Sequence, residues 1–160
     1  MKTLIIILLM IGSVVTVSAQ KSKHASVVFK EYLAAVSKGD PKAAASYFDE
    51  KGYIEAPYVA SFGMPSKFEG REAIAATMAG LLKNAPNFHF TSVKVIMETP
   101  TQVVAEYESE ATLVNGRQYK MLYIGSITTK DGKIMSHHEF LNTVPFVEAF
   151  FPNGLKDLIK

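Results

Sequence analysis

DGKIMSHHEFLNTVPF, residues 131–146, reads as a hairpin turn at Asp131-Gly132, then a strand, then a stop at Pro145. Side chains alternate between the two faces of a strand. Met135, His137, Glu139 and Leu141 therefore share one face, and Ile134, Ser136, His138 and Phe140 share the other. A carboxylate beside Leu141, with an imidazole two residues away on an otherwise apolar face, is the one place where this sequence looks like chemistry.

Working back from that strand, three more strands are predicted over Phe88–Glu98, Gln102–Val114 and Arg117–Thr129, with the last at Lys133–Asn142. Asn115-Gly116 and Asp131-Gly132 are strong signals for two-residue hairpin turns. With two-residue turns at both sites, Tyr107 pairs with Ile124, Ala105 with Ser126, Ile124 with Glu139, and Ser126 with His137. Opposed residues share a face, so the predicted inner face holds Val103, Ala105, Tyr107, Leu122, Ile124, Ser126, His137, Glu139 and Leu141. The outer face holds Glu106, Glu108, Glu110, Met121, Tyr123, His138 and Phe140. A one-residue change in either turn would flip a strand.

Upstream, Ala25, Val28, Phe29, Tyr32, Leu33 and Val36 follow the spacing of one buried helical stripe, which predicts a helix over 25–37. Gly39 stops it, and Asp40-Pro41 starts a second short helix over Pro41–Phe48. Tyr53–Ala56 makes a short strand, and Arg71–Asn84 a third helix with Ile74, Met78, Leu81 and Leu82 on one side. Between them lies a loop, Pro57–Gly70, rich in Tyr58, Phe62, Met64 and Phe68; such loops fold over core or ligand.

Length and composition bound the answer. The 160 residues are enough for one domain with a core, and 48% hydrophobic with 20% charged residues suits a folded protein. A net charge of +2 with no basic stripe argues against nucleic acid as a partner. The absence of cysteine excludes disulfides, thiolate metal sites and a cysteine nucleophile. Lys2, the apolar run Leu4–Ile11 and Val17-Ser18-Ala19 form a signal-peptide pattern, which predicts export (periplasmic or secreted) after cleavage following Ala19 and no membrane attachment afterwards. The single domain is then 20–160.

The predicted inner face carries the chemistry. Burial disfavours the charged form of a carboxyl, so Glu139 should have a raised pKa and be able to exchange a proton near neutrality. His137 lies about 7 Å along the strand from it, two residues of ~3.3 Å rise. Tyr107, Tyr32, Tyr58, Ile124 and Leu141 complete the candidate ligand-binding set. Glu139 as a plain core residue, bonded to a tyrosine or to Arg71, is the competing reading. His137 and His138 point to opposite faces, so no metal site is expected. No cofactor is expected either.

The order of elements resembles that of the nuclear transport factor 2-like superfamily, the SnoaL-like and ketosteroid-isomerase-like cone fold. KGDPKAAASYFDEKGYIEAP (38–57) and FEGREAIAATMAGL (68–81) are similar to its characteristic opening and third helix. The resemblance covers nearly all of the mature chain and implies an α+β fold, a cone-shaped curved antiparallel sheet wrapped by three N-terminal helices. Tyr32 matches the first-helix tyrosine of ketosteroid isomerases, whereas Ala56 stands at their catalytic base and Gly125 or Ser126 near their second acid. DGKIMSHHEFLN and PNFHFTSVKVIMET (86–99) are most like the phenazine-biosynthesis A/B proteins, which implies that Glu139 occupies their pocket glutamate. Relatives pack as homodimers through the outer sheet face, and Phe140, Met121 and Tyr123 are the apolar residues predicted there.

Three functions remain open at this point. The chain could bind a small apolar or aromatic molecule. It could be a cofactor-independent isomerase, cyclase or dehydratase using Glu139 with His137. It could instead be an interaction module acting through the outer face.

Overall fold

The computed structural model describes residues 23–158, so the expected signal segment lies outside the described residues. The chain runs α1 (Ala25–Ser37), α2 (Pro41–Ser46), β1 (Phe48–Glu55), a 3-10 segment (Pro57–Phe62), β2 (Lys67–Glu69) and α3 (Arg71–Asn84). Then follow β3 (His89–Glu98), β4 (Gln102–Thr112), β5 (Gln118–Lys130), β6 (Lys133–Leu141), α4 (Thr143–Phe150) and a 3-10 turn (Gly154–Asp157). One curved six-stranded sheet has the order β2-β1-β6-β5-β4-β3. Every neighbouring pair is antiparallel except β1 with β6, which is parallel. This is the α+β cone that was expected, with α1, α2 and α3 ahead of the long strands.

The apolar stripe of α1 is buried as its spacing predicts, with Val28, Phe29, Tyr32 and Val36 at 2% exposure or less. Asp40 caps α2 by accepting a hydrogen bond from the Ala43 amide at 2.9 Å. The second helix ends at Ser46, short of the expected Phe48, because Phe48 is drawn into β1 opposite Ile134. Strand β1 is correspondingly longer than the predicted Tyr53–Ala56.

The register is where sequence and structure part. The β4–β5 connection is a three-residue loop, Val114-Asn115-Gly116, closed by the Leu113 amide on the Arg117 carbonyl and the Gly116 amide on the Leu113 carbonyl, both 2.8 Å. Gly116 takes φ +83°, the left-handed residue that such loops require. The one extra loop residue rotates β5 by one position, so Tyr107 pairs with Tyr123 and Ala105 with Gly125, not with Ile124 and Ser126. Asp131-Gly132 is the predicted two-residue turn, with Lys130 opposite Lys133 and both turn residues at positive φ. A bulge in β6, where Met135 is the extra residue between Ile134 (opposite Thr129) and Ser136 (opposite Thr128), then shifts β6 by one. His137 therefore faces Ile127, and Glu139 faces Gly125.

The two inversions cancel across the sheet. Strand β4 keeps the faces predicted for it, and so does β6 from Ser136 onward; β5 is reversed, and Ile134, predicted outside, is fully buried because it lies on the other side of the bulge. Tyr119, Met121, Tyr123 and Ile127 are buried inside, whereas Leu122 and Ile124 are 56% and 45% exposed on the outer face. The middle of β5, residues 121–124, is apolar on both faces, so hydrophobic periodicity has little to arbitrate with there, although Gln118, Lys120, Ser126, Thr128 and Lys130 all fall on the outer face.

A fourth helix, α4, was not foreseen. Asn142 caps it by accepting from the Val144 amide, so Pro145 lies inside its first turn instead of ending the segment. Arg117 holds its far end, donating to the carbonyls of Glu148 (2.9 Å), Phe151 (2.7 Å) and Pro152 (2.7 Å). Among the described residues no helix is long and apolar enough to cross a membrane.

Candidate functional site

Gly125 makes the centre of the site possible. Tyr107 on β4 lays its ring across the backbone of β5 at Gly125, where an added Cβ would stand 2.7 Å from Tyr107 Cε1 and 2.8 Å from its hydroxyl oxygen. With no side chain in the way, that hydroxyl reaches β6. It donates to Glu139 Oε1 at 2.7 Å and lies 3.1 Å from His137 Nε2. Glu139 Oε1 and His137 Nε2 are 3.9 Å apart.

Burial sets the protonation of this group. His137 has no exposed surface and packs edge-on against Phe29 and Tyr32, with ring centroids 5.8 Å and 5.7 Å away. Its pKa is lowered to about 3, first by burial and second by the charge of His138. Glu139 has its pKa raised to about 7, by burial, against the downward pull of the Tyr107 hydrogen bond. The pair is therefore a neutral imidazole beside a carboxyl poised near neutrality, and its short separation does not make it a salt bridge.

One hydroxyl proton cannot serve two acceptors. When Glu139 is ionised, Tyr107 donates to it, and His137 must carry its proton on Nε2 to donate to the Tyr107 oxygen. Nδ1 of His137 is then the bare nitrogen, and it is buried with no partner.

In front of Glu139 lies a cavity of about 410 Å³. Glu139 and Leu141 of β6, Tyr119 and Tyr123 of β5, and Phe88 and Phe90 ahead of and on β3 form its sheet wall. Tyr32 and Val36 of α1, Met78 and Leu81 of α3, and Phe146 and Phe150 of α4 form its helical walls. Val59, Met64, Pro65, Ser66 and Phe68 of the 57–70 segment close one side, as an apolar loop folded over a ligand site would.

Of the residues singled out from sequence, Glu139, Tyr32 and Leu141 line this cavity. His137 and Tyr107 stand behind Glu139, fully buried, and touch the carboxylate instead of the open space. Tyr58 is 56% exposed and packs on Phe140 at the outer face, so it is not a lining residue. Ile124 points outward because β5 is reversed. For the same reason Met121 and Tyr123, predicted outside, are inside. Arg71 donates to the Phe48 carbonyl at 2.8 Å and is not a partner of Glu139.

Sequence reasoning missed Tyr119, Tyr123, Phe146 and Phe150. The two tyrosines were hidden by the loop length. The two phenylalanines were legible: Asn142-Thr143 before Pro145 is a helix-start pattern, and Phe146 and Phe150 are four apart on one helical face.

A curved, unclosed sheet packed by helices around an aromatic-lined cavity with one buried carboxyl defines a protein of the cone type. The chain belongs to the SnoaL-like domain family, whose profile matches residues 29–137. It is 28% identical over 130 residues to the uncharacterised protein YesE of Bacillus subtilis strain 168, covering 80% of this chain and 88% of that one. It is 30% identical over 129 residues to an uncharacterised PhzA/B-like protein of Pseudomonas aeruginosa, covering 79% and 89%. Among solved structures, a Bacillus subtilis protein proposed to be an isomerase superposes with a TM-score of 0.71 at 28% identity over 79% of this chain and 91% of that one. TerC, crystallised with polyporic acid, shares the fold at TM-score 0.66 and 18% identity (78% and 95% covered). So does a Catenulispora acidiphila protein with a ketosteroid-isomerase-like fold in complex with trimethylamine, at TM-score 0.66 and 16% identity (76% and 90% covered).

Proposed function

We propose that this chain takes a small, largely apolar or aromatic molecule into its cavity and uses Glu139 to move a proton on it. The observation that carries this reading is a carboxyl with a pKa of about 7 on the wall of an aromatic cavity, held in one orientation by Tyr107. A general acid or base works best with a pKa near the operating pH. The lining accounts for the class of molecule: rings of Tyr32, Phe88, Phe90, Tyr119, Tyr123, Phe146 and Phe150 surround a single carboxyl group. Small organic molecules in two fold neighbours support the same use of the cavity. The reaction class that fits is isomerase- or cyclase-type proton transfer. His137 stays neutral and behind the carboxyl, so its part is to hold Tyr107 and not to touch the substrate.

The test is a ligand screen of aromatic acids, phenols and ketones by thermal shift, followed by turnover assays, on wild type and Glu139→Gln. Loss of turnover by about 10²–10⁴-fold with binding retained is the expected result for a proton-transfer residue. Retained binding with no turnover in either protein would reduce the reading to a binding protein.

Two further parts of the reading concern where and how the protein works. Export with cleavage after Ala19 rests on the signal-peptide pattern, and mass spectrometry of the exported protein should find Gln20 at its N-terminus. Assembly with a second copy through the outer sheet face rests on Leu122, Ile124 and Phe140, which are all exposed there. Replacing Leu122 and Ile124 by Lys should turn a dimer into monomers by sedimentation velocity, and an unchanged mass would sink that part.

A further inference from the structure

A second polar group on the cavity wall has no role in the proton chemistry. Ser109 Oγ and the Tyr123 hydroxyl are 2.8 Å apart, and the Tyr123 and Tyr119 hydroxyls are 3.1 Å apart. Among the described residues these three oxygens have no other side-chain or backbone hydrogen bond. Three hydroxyls bring three protons, and two contacts use two of them. One donor is left over.

Its position follows from burial and from cooperativity. Ser109 is 1% exposed and does not reach the cavity, so a spare proton there would be an unmet buried donor. Ser109 therefore donates to Tyr123. A chain in which every hydroxyl both accepts and donates polarises its members in one sense, so Tyr123 donates on to Tyr119. The spare proton falls on Tyr119, which lines the cavity. Its ring is fixed by Phe150, with centroids 5.3 Å apart, and by Phe88 at 6.2 Å. Tyr123 is fixed in turn by stacking on Tyr107 at 4.9 Å and 10°.

We propose that the Ser109–Tyr123–Tyr119 chain is a built hydrogen-bond donor site, ending at the Tyr119 hydroxyl, for a carbonyl or phenolic oxygen of the ligand. This rests on the cavity reading above and narrows it. The ligand has a planar apolar body and an acceptor oxygen, and it is held at Tyr119 while Glu139 faces another part of it. Hydrocarbons of the same shape lack the acceptor and bind less well. Burial and the nearby Glu139 charge hold the Tyr119 and Tyr123 hydroxyls protonated throughout the physiological range.

The probes are 1-tetralone and tetralin, which share a two-ring frame and differ in the carbonyl. Calorimetric titration of wild type should show 1-tetralone binding about five- to tenfold more tightly, the ratio expected for one net hydrogen bond. Tyr119→Phe should lose that preference and keep its tetralin affinity. The carbonyl infrared band of bound 1-tetralone should lie below its position in cyclohexane in wild type, and close to it in the variant. Equal affinities in wild type, or a preference that survives Tyr119→Phe, would overturn the donor site while leaving the cavity reading intact. Failure of both probes to bind wild type would overturn both. Should Tyr119→Phe not fold, a wild-type band at the cyclohexane position overturns the donor site without it.

Discussion

Strand β6 carries the histidines of two histidine–carboxylate pairs, one on each face and one residue apart; Glu139 of β6 completes the inner pair and Glu55 of β1 the outer one, and their surroundings differ. Inside, His137 and Glu139 come within 3.9 Å, with side-chain exposures of 0% and 16%. Outside, His138 and Glu55 come within 3.4 Å, with exposures of 36% and 30%, and the Tyr53 hydroxyl lies 3.3 Å from His138. The outer pair keeps its contact with water. The inner pair loses water, and desolvation outweighs the attraction: the imidazole gives up its charge and the carboxyl half gives up its own. Distance alone does not make an ion pair, and the solvent each face retains decides between a surface contact and a proton-transfer group.

Four substitutions test this contrast. The largest effect should come from Glu139→Gln, read as stability against pH. Raising the folded pKa of Glu139 from 4.5 to about 7 makes stability fall with rising pH between those values. Lowering that of His137 from 6.5 to about 3 makes stability rise with pH between 3 and 6.5. The two slopes oppose each other between 4.5 and 6.5, where wild type should be nearly flat. Glu139→Gln leaves only the histidine slope, so the variant should gain stability steadily from pH 3 to 6.5. Above pH 7 it should exceed wild type by up to about 3 kcal/mol, the equivalent of the removed carboxyl shift. Urea unfolding across pH 3–8 checks this, and parallel curves for the two proteins would refute the buried-carboxyl account.

Gly125→Ala comes next. Its methyl group would press on the Tyr107 ring, so a loss of about 1–3 kcal/mol is expected from overpacking. The loss should be accompanied by a weakened Tyr107–Glu139 bond, seen as a further rise of the Glu139 titration by carboxyl ¹³C NMR. Tyr107→Phe should cost about 1–2 kcal/mol through the lost hydrogen bonds. It should also raise the Glu139 pKa above 7, since that bond is the one influence pulling it down. In wild type, ¹⁵N NMR of His137 at pH 8 should show the proton on Nε2. Smallest of all, His138→Gln on the outer face should change stability by less than about 1 kcal/mol and only at low salt. A large effect there would erase the difference between the two faces.

The same sheet shows how far sequence carries. Helix α1 was legible because six apolar residues at helical spacing admit one buried stripe, and α3 because Gly70 and Pro86 bracket a periodic run. Glu139 was legible because a carboxylate set among apolar residues on one strand face stands out in any register that keeps β6 facing inward. That Tyr107 would meet it was also readable, since β4 and β6 have the predicted faces.

Legible in the sequence, then, are α1 to α3, the four long strands, the family they belong to and the carboxyl on the inner face of β6. Those depend on local patterns, which side-chain spacing and turn chemistry express directly. Which face of β5 lines the cavity was set by loop length and packing. One extra residue in the 114–116 loop turned Tyr119 and Tyr123 inward and Ile124 outward, and a bulge at Met135 turned β6 back. The run at 121–124 is apolar on both faces and carries no preference of its own, so its side is settled by pairing with its neighbours. The protonation of His137 and Glu139 was likewise decided by packing, because it depends on how much water α1 and the sheet leave around them.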